Sequence, residues 1–292
     1  MELAQARRSW HIALRSSHRS DRTLEVYLLA LDQLIEWLTD EGHSMEVTEI
    51  TPNDLRLFIV HMLDTRSPAT AKQRYSSLAV FFKWLATEEE ITTDPMVKVE
   101  KPKVRERQIE VVTEHQFKAL VGACDGEFLG RRDEAIIRLL NDTGLRVSEL
   151  CGLTLWDISL DRELMLVNGK TGERDVPFTP STTWAIDRWI RVRSKHRNSH
   201  LDALWLSDRG RGTVLTRSGV YRMLASRSEK AKIAHVHPHM FRHSCADRLL
   251  SAGMNEGSVM TVMGWNDRKM LDKYGASVKH KRAIEDYRRL IG

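Results

Sequence analysis

The chain has 292 residues, of which 41% are hydrophobic and 29% charged, and its formal net charge is +5 at pH 7. This length is enough for two domains with separate cores, and the positive charge favours a polyanionic partner. No apolar run approaches the roughly 20 residues of a membrane helix, and the N-terminus has no apolar signal core, so we expect a soluble cytoplasmic protein without a membrane partner.

The first hundred residues are predicted to form a bundle of four helices. Residues 3–14 form a short first helix in this prediction, and residues 23–41 carry apolar side chains at helical spacing. Thr51-Pro52 and Ser67-Pro68 each place a capping residue before a proline, as is typical where helices begin. We assign residues 1–100 to one helical DNA-binding domain.

Two basic residues near the start of the fourth predicted helix are candidates for DNA contact. Lys72 and Arg74 follow Ser67-Pro68 in the first turns of that helix. The N-terminal turns of helices enter DNA grooves in several binding motifs. The alternative for each residue is an ordinary solvated helix face.

A segment without helical periodicity follows the bundle. Residues 91–112 are rich in proline and positive charge, which is typical of an exposed connection between domains. We place the linker itself at residues 101–112. Lys101 and Lys103 within it are candidates for contact with DNA.

Residues 113–292 are predicted to form a second domain of helices interrupted by one β hairpin. Thr113 and Gln116 have the spacing of a capping box, which indicates a helix start. The positive charge is concentrated in this part of the chain. Residues 104–292 contain 32 Lys and Arg against 24 Asp and Glu, whereas residues 1–103 contain 13 against 16.

The predicted hairpin pairs residues 164–168 with residues 174–178 around the turn Gly169-Lys170-Thr171-Gly172. Lys170 therefore lies at the tip of the hairpin. Such a sequence is often a plain turn, and it lacks the upstream glycine of a nucleotide-binding loop.

Five side chains of the second domain match the needs of phosphoryl transfer to a tyrosine. The transition state spreads negative charge over the non-bridging oxygens, and guanidinium groups donate paired hydrogen bonds to phosphate, so Arg146 and Arg242 are the candidate clamp. Lys170 is suited to protonating a leaving alkoxide. Tyr274 is the candidate nucleophile, which needs a base or positive charge nearby. His239, three residues before Arg242 on the same helix face, is the candidate base.

The motifs that carry these side chains resemble those of the tyrosine recombinase family, also called the phage integrase family, over nearly the whole chain. Thr-Gly-Leu-Arg-Val-Ser-Glu-Leu at residues 143–150 resembles the first arginine box, and Pro-His-Met-Phe-Arg-His at residues 238–243 resembles the second. Lys170 lies where the family has its hairpin lysine. Tyr274 follows Trp265 by nine residues, the spacing expected for the nucleophile.

Trp265 departs from the commoner pattern of the family. Most members end the third box as Leu-Gly-His, whereas this chain reads Met263-Gly264-Trp265, as some members do. An indole N–H can donate to a phosphate oxygen but cannot transfer a proton. We therefore interpret Trp265 as a site residue that positions the phosphate and packs, and not as an acid or base.

The resemblance implies both a fold and a mechanism. A helical core-binding domain and a mixed α/β catalytic domain would close around duplex DNA as a C-shaped clamp. Monomers or weak dimers would assemble as a homotetramer on two double-stranded recombination sites. A 3'-phosphotyrosyl intermediate would then lead through a Holliday junction. Because that intermediate keeps the energy of the broken bond, no ATP, metal or other cofactor is expected.

Two residues beside the arginines and the C-terminal segment are expected to have supporting roles. Glu149 and His243 neighbour Arg146 and Arg242 and are expected to hold them in place. Residues 278–290 are predicted to form an amphipathic helix. In similar proteins the C-terminal segment docks on a neighbouring protomer, and we expect the same here. The alternative is a helix folded back onto its own protomer.

A metal site is the alternative interpretation of the histidine cluster. Alternating histidines such as His235, His237, His239 and His243 can chelate zinc. Arg242 among them would oppose a cation, and no carboxylate accompanies them at ligand spacing. The three cysteines show no ligand pattern either, so we expect reduced thiols and no metal.

Several biological roles are compatible with these motifs. We prefer phage integration and excision, partly because the third box departs from the Xer pattern; a Xer-type or transposon resolvase role is the alternative. No separate arm-binding domain is expected before the first helix, which fits all three roles. A type IB topoisomerase shares the chemistry, but the Xer-like bundle and the tail argue against it. A non-catalytic DNA-binding regulator would lack the nucleophile or an arginine, and this chain has both.

Overall fold

The computed structural model describes residues 1–104, 110–169, 172–208 and 214–271, together with residues 283–284, 287–288 and 290–291. The chain divides into two compact units, Met1–Arg107 and Gln108–Gly292. The described residues are mainly helical and include one three-stranded sheet, so the predicted mainly α class with a small β hairpin or sheet is confirmed. Within the described residues, no helix combines the length and the apolar character needed to cross a membrane.

Residues 1–104 contain the predicted bundle of four helices. These are α1 (Leu3–Ser16), α2 (Asp21–Asp40), α3 (Pro52–Thr65) and α4 (Pro68–Thr87). Helix α2 begins earlier than predicted because the Ser20 hydroxyl accepts a hydrogen bond from the Thr23 amide. Thr51 and Ser67 cap α3 and α4 in the same way. The aromatic core of the bundle includes Trp10, Phe58, Phe81 and Phe82.

The first part of the non-periodic segment 91–112 packs against this bundle. We expected exposure from residue 91 onward, yet Ile91, Met96 and Val99 are buried against the helices. The Tyr75 hydroxyl donates to the Val99 carbonyl over 2.9 Å. The segment escaped prediction because its ordered part is a short 3-10 helix without a repeating apolar face.

The second unit combines helices with an antiparallel sheet in the order β1-β2-β3. Its described helices are α5 (Glu114–Gly122), α6 (Phe128–Thr143), α7 (Val147–Gly152), α8 (Pro180–Arg193), α9 (Arg217–Lys230), α10 (Pro238–Ser251) and α11 (Glu256–Met263). Its described strands are β1 (Ile158–Ser159), β2 (Leu164–Gly169) and β3 (Gly172–Pro177). Thr113 and Gln116 form the predicted capping box of α5. The predicted hairpin is β2 and β3, with Gly169 opposite Gly172; β1 was not predicted.

Helix α6 lies in the centre of the second core. Its Ile136 and Leu140 side chains are fully buried. Asp133 on the same helix is also buried, and its carboxylate accepts hydrogen bonds from Arg132 and Arg227. Those bonds compensate the buried charge, which would otherwise be strongly unfavourable.

Gly144 ends α6 in the left-handed conformation, with φ of +57°. A Cβ atom at this position would lie 2.9 Å from the Cys245 Cβ and 3.2 Å from the Arg242 Cα. Glycine therefore allows the end of α6 to lie directly against α10. This contact brings Arg146, two residues further along the chain, next to the helix that carries Arg242.

Candidate active site

Arg146 lies at the start of α7 and is held by Glu149. The Arg146 backbone N–H donates to Glu149 Oε2 over 2.9 Å, and its Nη1 donates to Glu149 Oε1 over 2.8 Å. Its Nη2 donates to the Gly264 carbonyl over 2.9 Å. About a third of the Arg146 side chain remains exposed, at 33%.

Glu149 also binds a second arginine, which the sequence analysis did not identify. Arg174 on β3 donates from Nη1 to Glu149 Oε1 over 3.2 Å and from Nη2 to Oε2 over 3.0 Å. Burial by itself would raise the pKa of Glu149, but the hydrogen bonds from Arg174 and Arg146 outweigh it, so this pKa lies below its usual value. Glu149 is therefore a buried carboxylate that stays ionised between two guanidinium groups.

Arg242 is buried on α10, with 3% of its surface exposed. Its Nη1 donates to the Gly144 carbonyl over 2.8 Å, and its Nη2 donates to the Met263 carbonyl. The guanidinium carbon lies 5.5 Å from the ring centroid of Trp265, within cation–π range. Trp265 is itself buried, in a small cluster with Met263 and Leu271.

The C-terminal end of α11 is the place where these side chains meet. Arg174 Nε donates to the Val262 carbonyl over 3.0 Å, Arg242 to that of Met263 and Arg146 to that of Gly264. The last carbonyls of a helix have no partners within the helix. Three arginines supply those partners here and so bring Arg146 and Arg242 to the two residues that precede Trp265.

The histidines lie around the first turns of α10. His239 is exposed and His243 half-buried, and the ring centroids of His237 and His239 are 6.4 Å apart. Burial, and then the neighbouring His239 and His235, lower the pKa of His237. The structure thus places His239 at the surface of the same helix that buries Arg242.

Two predicted site residues, Lys170 and Tyr274, lie outside the described residues. Most of the predicted tail helix at residues 278–290 lies outside them as well. The strands that lead to Lys170 are described up to Gly169 and from Gly172.

The four candidate DNA contacts differ in their exposure to solvent. Lys72, Lys101 and Lys103 are exposed, as a DNA contact requires. Arg74 is instead buried, with 7% exposure, and its Nε donates to Gln33 Oε1. Burial lowers the pKa of Arg74. The Arg74 side chain thus links two helices of the bundle, and its contact with DNA stays a prediction.

Among the residues that the structure describes, no group of three or more His, Cys, Asp or Glu side chains is arranged to hold a metal ion. His243 and His239 belong to this described part, and so do all three cysteines, which are free thiols.

Arg174 is the main site residue that sequence reasoning missed. A signal for it exists in the alternation of β3, because Arg174 and the buried Val176 are two residues apart and share one face of the strand. That face points to the core. A basic residue there requires a buried acidic partner, and Glu149 is that partner.

Sequence comparisons place both units in known families. The model of the phage integrase family matches residues 110–281, and that of the phage integrase N-terminal SAM-like domain matches residues 7–91. The chain is 31% identical to tyrosine recombinase XerC of Corynebacterium efficiens over 274 residues, which covers 92% of this chain and 85% of that relative. It is 32% identical to tyrosine recombinase XerD of Lacticaseibacillus casei over 253 residues, or 84% of this chain and 85% of that relative.

Solved structures share the fold at lower identity. The Tn1549 transposon integrase in complex with transposon right end DNA superposes with a TM-score of 0.80 at 20% identity, with 100% of each chain covered. A lambda integrase dimer bound to a COC' core site gives a TM-score of 0.74 at 18% identity, with 94% of this chain and 77% of the other covered. These similarities concern the fold, whereas the family models and the XerC and XerD relatives show that the chain belongs to the phage integrase family and is a tyrosine recombinase.

Proposed function

We propose that this chain is a Xer-type site-specific recombinase that cleaves and rejoins double-stranded DNA at recombination sites. The similarity to XerC and XerD supports this role better than the phage integration that the sequence analysis preferred. Integration and excision of a mobile element is the second candidate, because the third box ends in Trp265.

The convergence of Arg146 and Arg242 on the end of α11 is the observation that carries this proposal. Both guanidinium groups are fixed there by carbonyl acceptors, Gly264 for Arg146 and Met263 for Arg242. Fixed donors stabilise a developing negative charge without the cost of reorganisation. The partly exposed Arg146 can face a phosphate that approaches Trp265.

Strand cleavage then uses one bond exchange at phosphorus. The Tyr274 oxygen attacks the phosphorus, and the phenolic proton passes to a base, for which His239 is the candidate. The bond from phosphorus to the 5'-oxygen breaks, and Lys170 gives that oxygen a proton. The products are a 3'-phosphotyrosyl bond and a free 5'-hydroxyl, while Trp265 donates its indole N–H to a non-bridging oxygen.

Rejoining reverses these steps with a different strand. The 5'-hydroxyl of the partner duplex attacks the phosphotyrosine and releases the Tyr274 phenol, so that a new phosphodiester replaces the old one. The number of phosphoester bonds is unchanged, which is why the reaction proceeds without ATP. Two such exchanges pass through a Holliday junction.

Assembly on DNA follows from the same proposal. A related fold is seen in a lambda integrase tetramer bound to a Holliday junction. For this chain we propose a monomer or weak dimer in solution, binding of both units to each half-site, and a homotetramer on two sites. Residues 278–290 are proposed to link neighbouring protomers.

A nicked suicide duplex tests the chemistry. Loss of the short 5'-hydroxyl fragment from such a duplex traps the covalent intermediate, which a recombinase and a type IB topoisomerase both form and a non-catalytic regulator does not. Junction and recombinant products then require the recombinase. The reaction is expected to proceed in EDTA; loss of cleavage on chelation and its return with zinc would favour the histidine cluster as a metal site.

Mapping the DNA that is bound and cleaved in the native genome tests the biological role. A Xer-type role predicts recombination between two copies of one site. Integration predicts two different sites, one of which belongs to a mobile element, and that result would replace the Xer-type proposal.

A further inference from the structure

Arg174 joins three elements that are adjacent in sequence to predicted site residues: β3 follows Lys170, α7 follows Arg146 and α11 precedes Trp265. It lies on β3, four residues after Lys170, and contacts Glu149 on α7 and Val262 on α11. Its side chain is only 9% exposed, so the guanidinium faces the protein interior. All three of its guanidinium nitrogens donate to Glu149 or to the Val262 carbonyl, so they are directed at protein acceptors and not at a DNA phosphate.

Two glycines make room for the pair formed by Arg174 and Glu149. A Cβ atom on Gly169 would lie 2.7 Å from Glu149 Oε1, and one on Gly264 would lie 2.8 Å from the Arg174 guanidinium carbon. These glycines directly precede Lys170 and Trp265. The backbone beside two predicted site residues is therefore shaped around this one ion pair.

The charges of the cluster show what the pair does for Arg146. Glu149 is buried and ionised, and it shares both carboxylate oxygens between Arg146 and Arg174. Two guanidinium groups and one carboxylate leave one positive charge. Without Arg174, Arg146 alone would balance the charge of the carboxylate, and the cluster would have no net positive charge.

We propose that Arg174 is a positioning residue that acts through Glu149 on Arg146. It neutralises the buried carboxylate and holds it bidentately, so that Arg146 keeps both its charge and its direction for the phosphate. The proposal rests on the recombinase function proposed above. In this role Arg174 does not itself contact the phosphate.

Single-turnover cleavage of a suicide duplex at saturating protein tests this role. Arg174→Met is expected to lower the cleavage rate constant by about tenfold or more, since small misplacements of catalytic groups have effects of that order. The Kd for a half-site should stay within about threefold, because the side chain is buried. Arg174→Lys keeps the charge and should recover part of the rate.

A double-mutant cycle separates positioning from folding. In an Arg146→Ala background, Arg174→Met should slow cleavage by less than about twofold, because its target is already absent. A misfolded fraction would lower the amplitude of the reaction and leave its rate constant unchanged. If Arg174→Met does not fold, the cycle is repeated with Arg174→Lys. That substitution must slow cleavage when Arg146 is present and have no effect in the Arg146→Ala background.

Arg132→Met is the matched control. Arg132 is also a buried arginine that pairs with a carboxylate, Asp133, and donates to a carbonyl, that of Leu206. It lies on α6 about 18 Å along the helix axis from Gly144. This variant should lower the melting temperature without changing the cleavage rate constant.

Equal slowing by Arg174→Met in the presence and absence of Arg146, or a wild-type rate in Arg174→Met, overturns the inference. Absence of any covalent complex with the wild-type protein contradicts the proposed function instead. The two failures are therefore distinguishable in one experiment.

Discussion

The Arg242 guanidinium donates a hydrogen bond of 2.8 Å to the carbonyl of Gly144, a residue 98 positions earlier in the chain. Gly144 precedes Arg146 by two residues and has a left-handed backbone. One buried arginine thereby fixes the turn from which the other arginine of the predicted clamp extends. The two arginine boxes are therefore joined directly by a hydrogen bond in the folded protein.

Tyr274→Phe should abolish covalent complex formation and leave DNA binding nearly intact, because only the nucleophilic oxygen is removed. The measurement is a denaturing gel of the suicide-duplex reaction, with half-site binding followed by mobility shift. Tyr221→Phe, at a partly exposed tyrosine on α9, is the matched control. Phosphotyrosine mapped by mass spectrometry to another tyrosine would contradict the assignment.

Arg146→Ala and Arg242→Ala should each slow cleavage by about a hundredfold or more, the effect expected for loss of one fixed donor to a developing oxyanion. Arg242→Ala should also lower the melting temperature, since its guanidinium joins Gly144 to Met263. Arg191→Ala removes an exposed arginine on α8 and is the control. A wild-type cleavage rate in either site variant would show that the substituted arginine does not bind the phosphate.

Trp265→His should retain more cleavage than Trp265→Ala. Histidine keeps an N–H donor at this position, whereas alanine removes it. Alanine also leaves a cavity beside Met263 and Leu271, and loss of a buried large aromatic side chain costs about 3–5 kcal/mol of stability. Rates are compared under single-turnover conditions, with urea unfolding measured in parallel. Equal cleavage rates for the two variants would exclude a hydrogen-bonding role for Trp265.

Gly264→Ala should be more damaging than Gly253→Ala. Both glycines have positive φ values, +62° and +85°, so both substitutions strain the backbone. A Cβ at Gly253 meets nothing within 4 Å, whereas one at Gly264 would clash with the Arg174 guanidinium. Urea midpoints and cleavage rates measure the difference, and equal effects on both would show that only backbone strain matters.

Glu149→Gln should reduce the fall in the free energy of unfolding at acidic pH. Because the pKa of Glu149 is lower in the folded protein than its usual value, the ionised carboxylate contributes stability above its unfolded pKa. That contribution is lost as the pH falls through the folded pKa. Unfolding is measured in urea from pH 7 down to about pH 3. The stability advantage of the wild-type protein over Glu149→Gln should shrink as the pH falls, and Glu229→Gln, at an exposed residue of α9, is the control substitution.

The sequence by itself determined the four helices of the bundle, the hairpin and the set of candidate catalytic side chains. Ser67 and Thr113 act as caps where the pattern predicted them, and Gly169 and Gly172 close the predicted hairpin. These features depend on neighbours within a few residues, which is the range over which capping and turn preferences operate. The order of the motifs also sufficed to indicate the family, which the comparisons confirm.

Only the tertiary structure decided which charged side chains are buried and what holds them. Arg74 and Arg174 are both basic residues within regular elements, yet one links helices of the bundle and the other pairs with Glu149 at the candidate site. The carbonyls at the end of α11 and at its C-cap that accept hydrogen bonds from Arg146 and Arg242 lie 118 and 21 residues away from them in the chain. Burial of a charge requires a partner from another element, and local periodicity contains no information about which element that is.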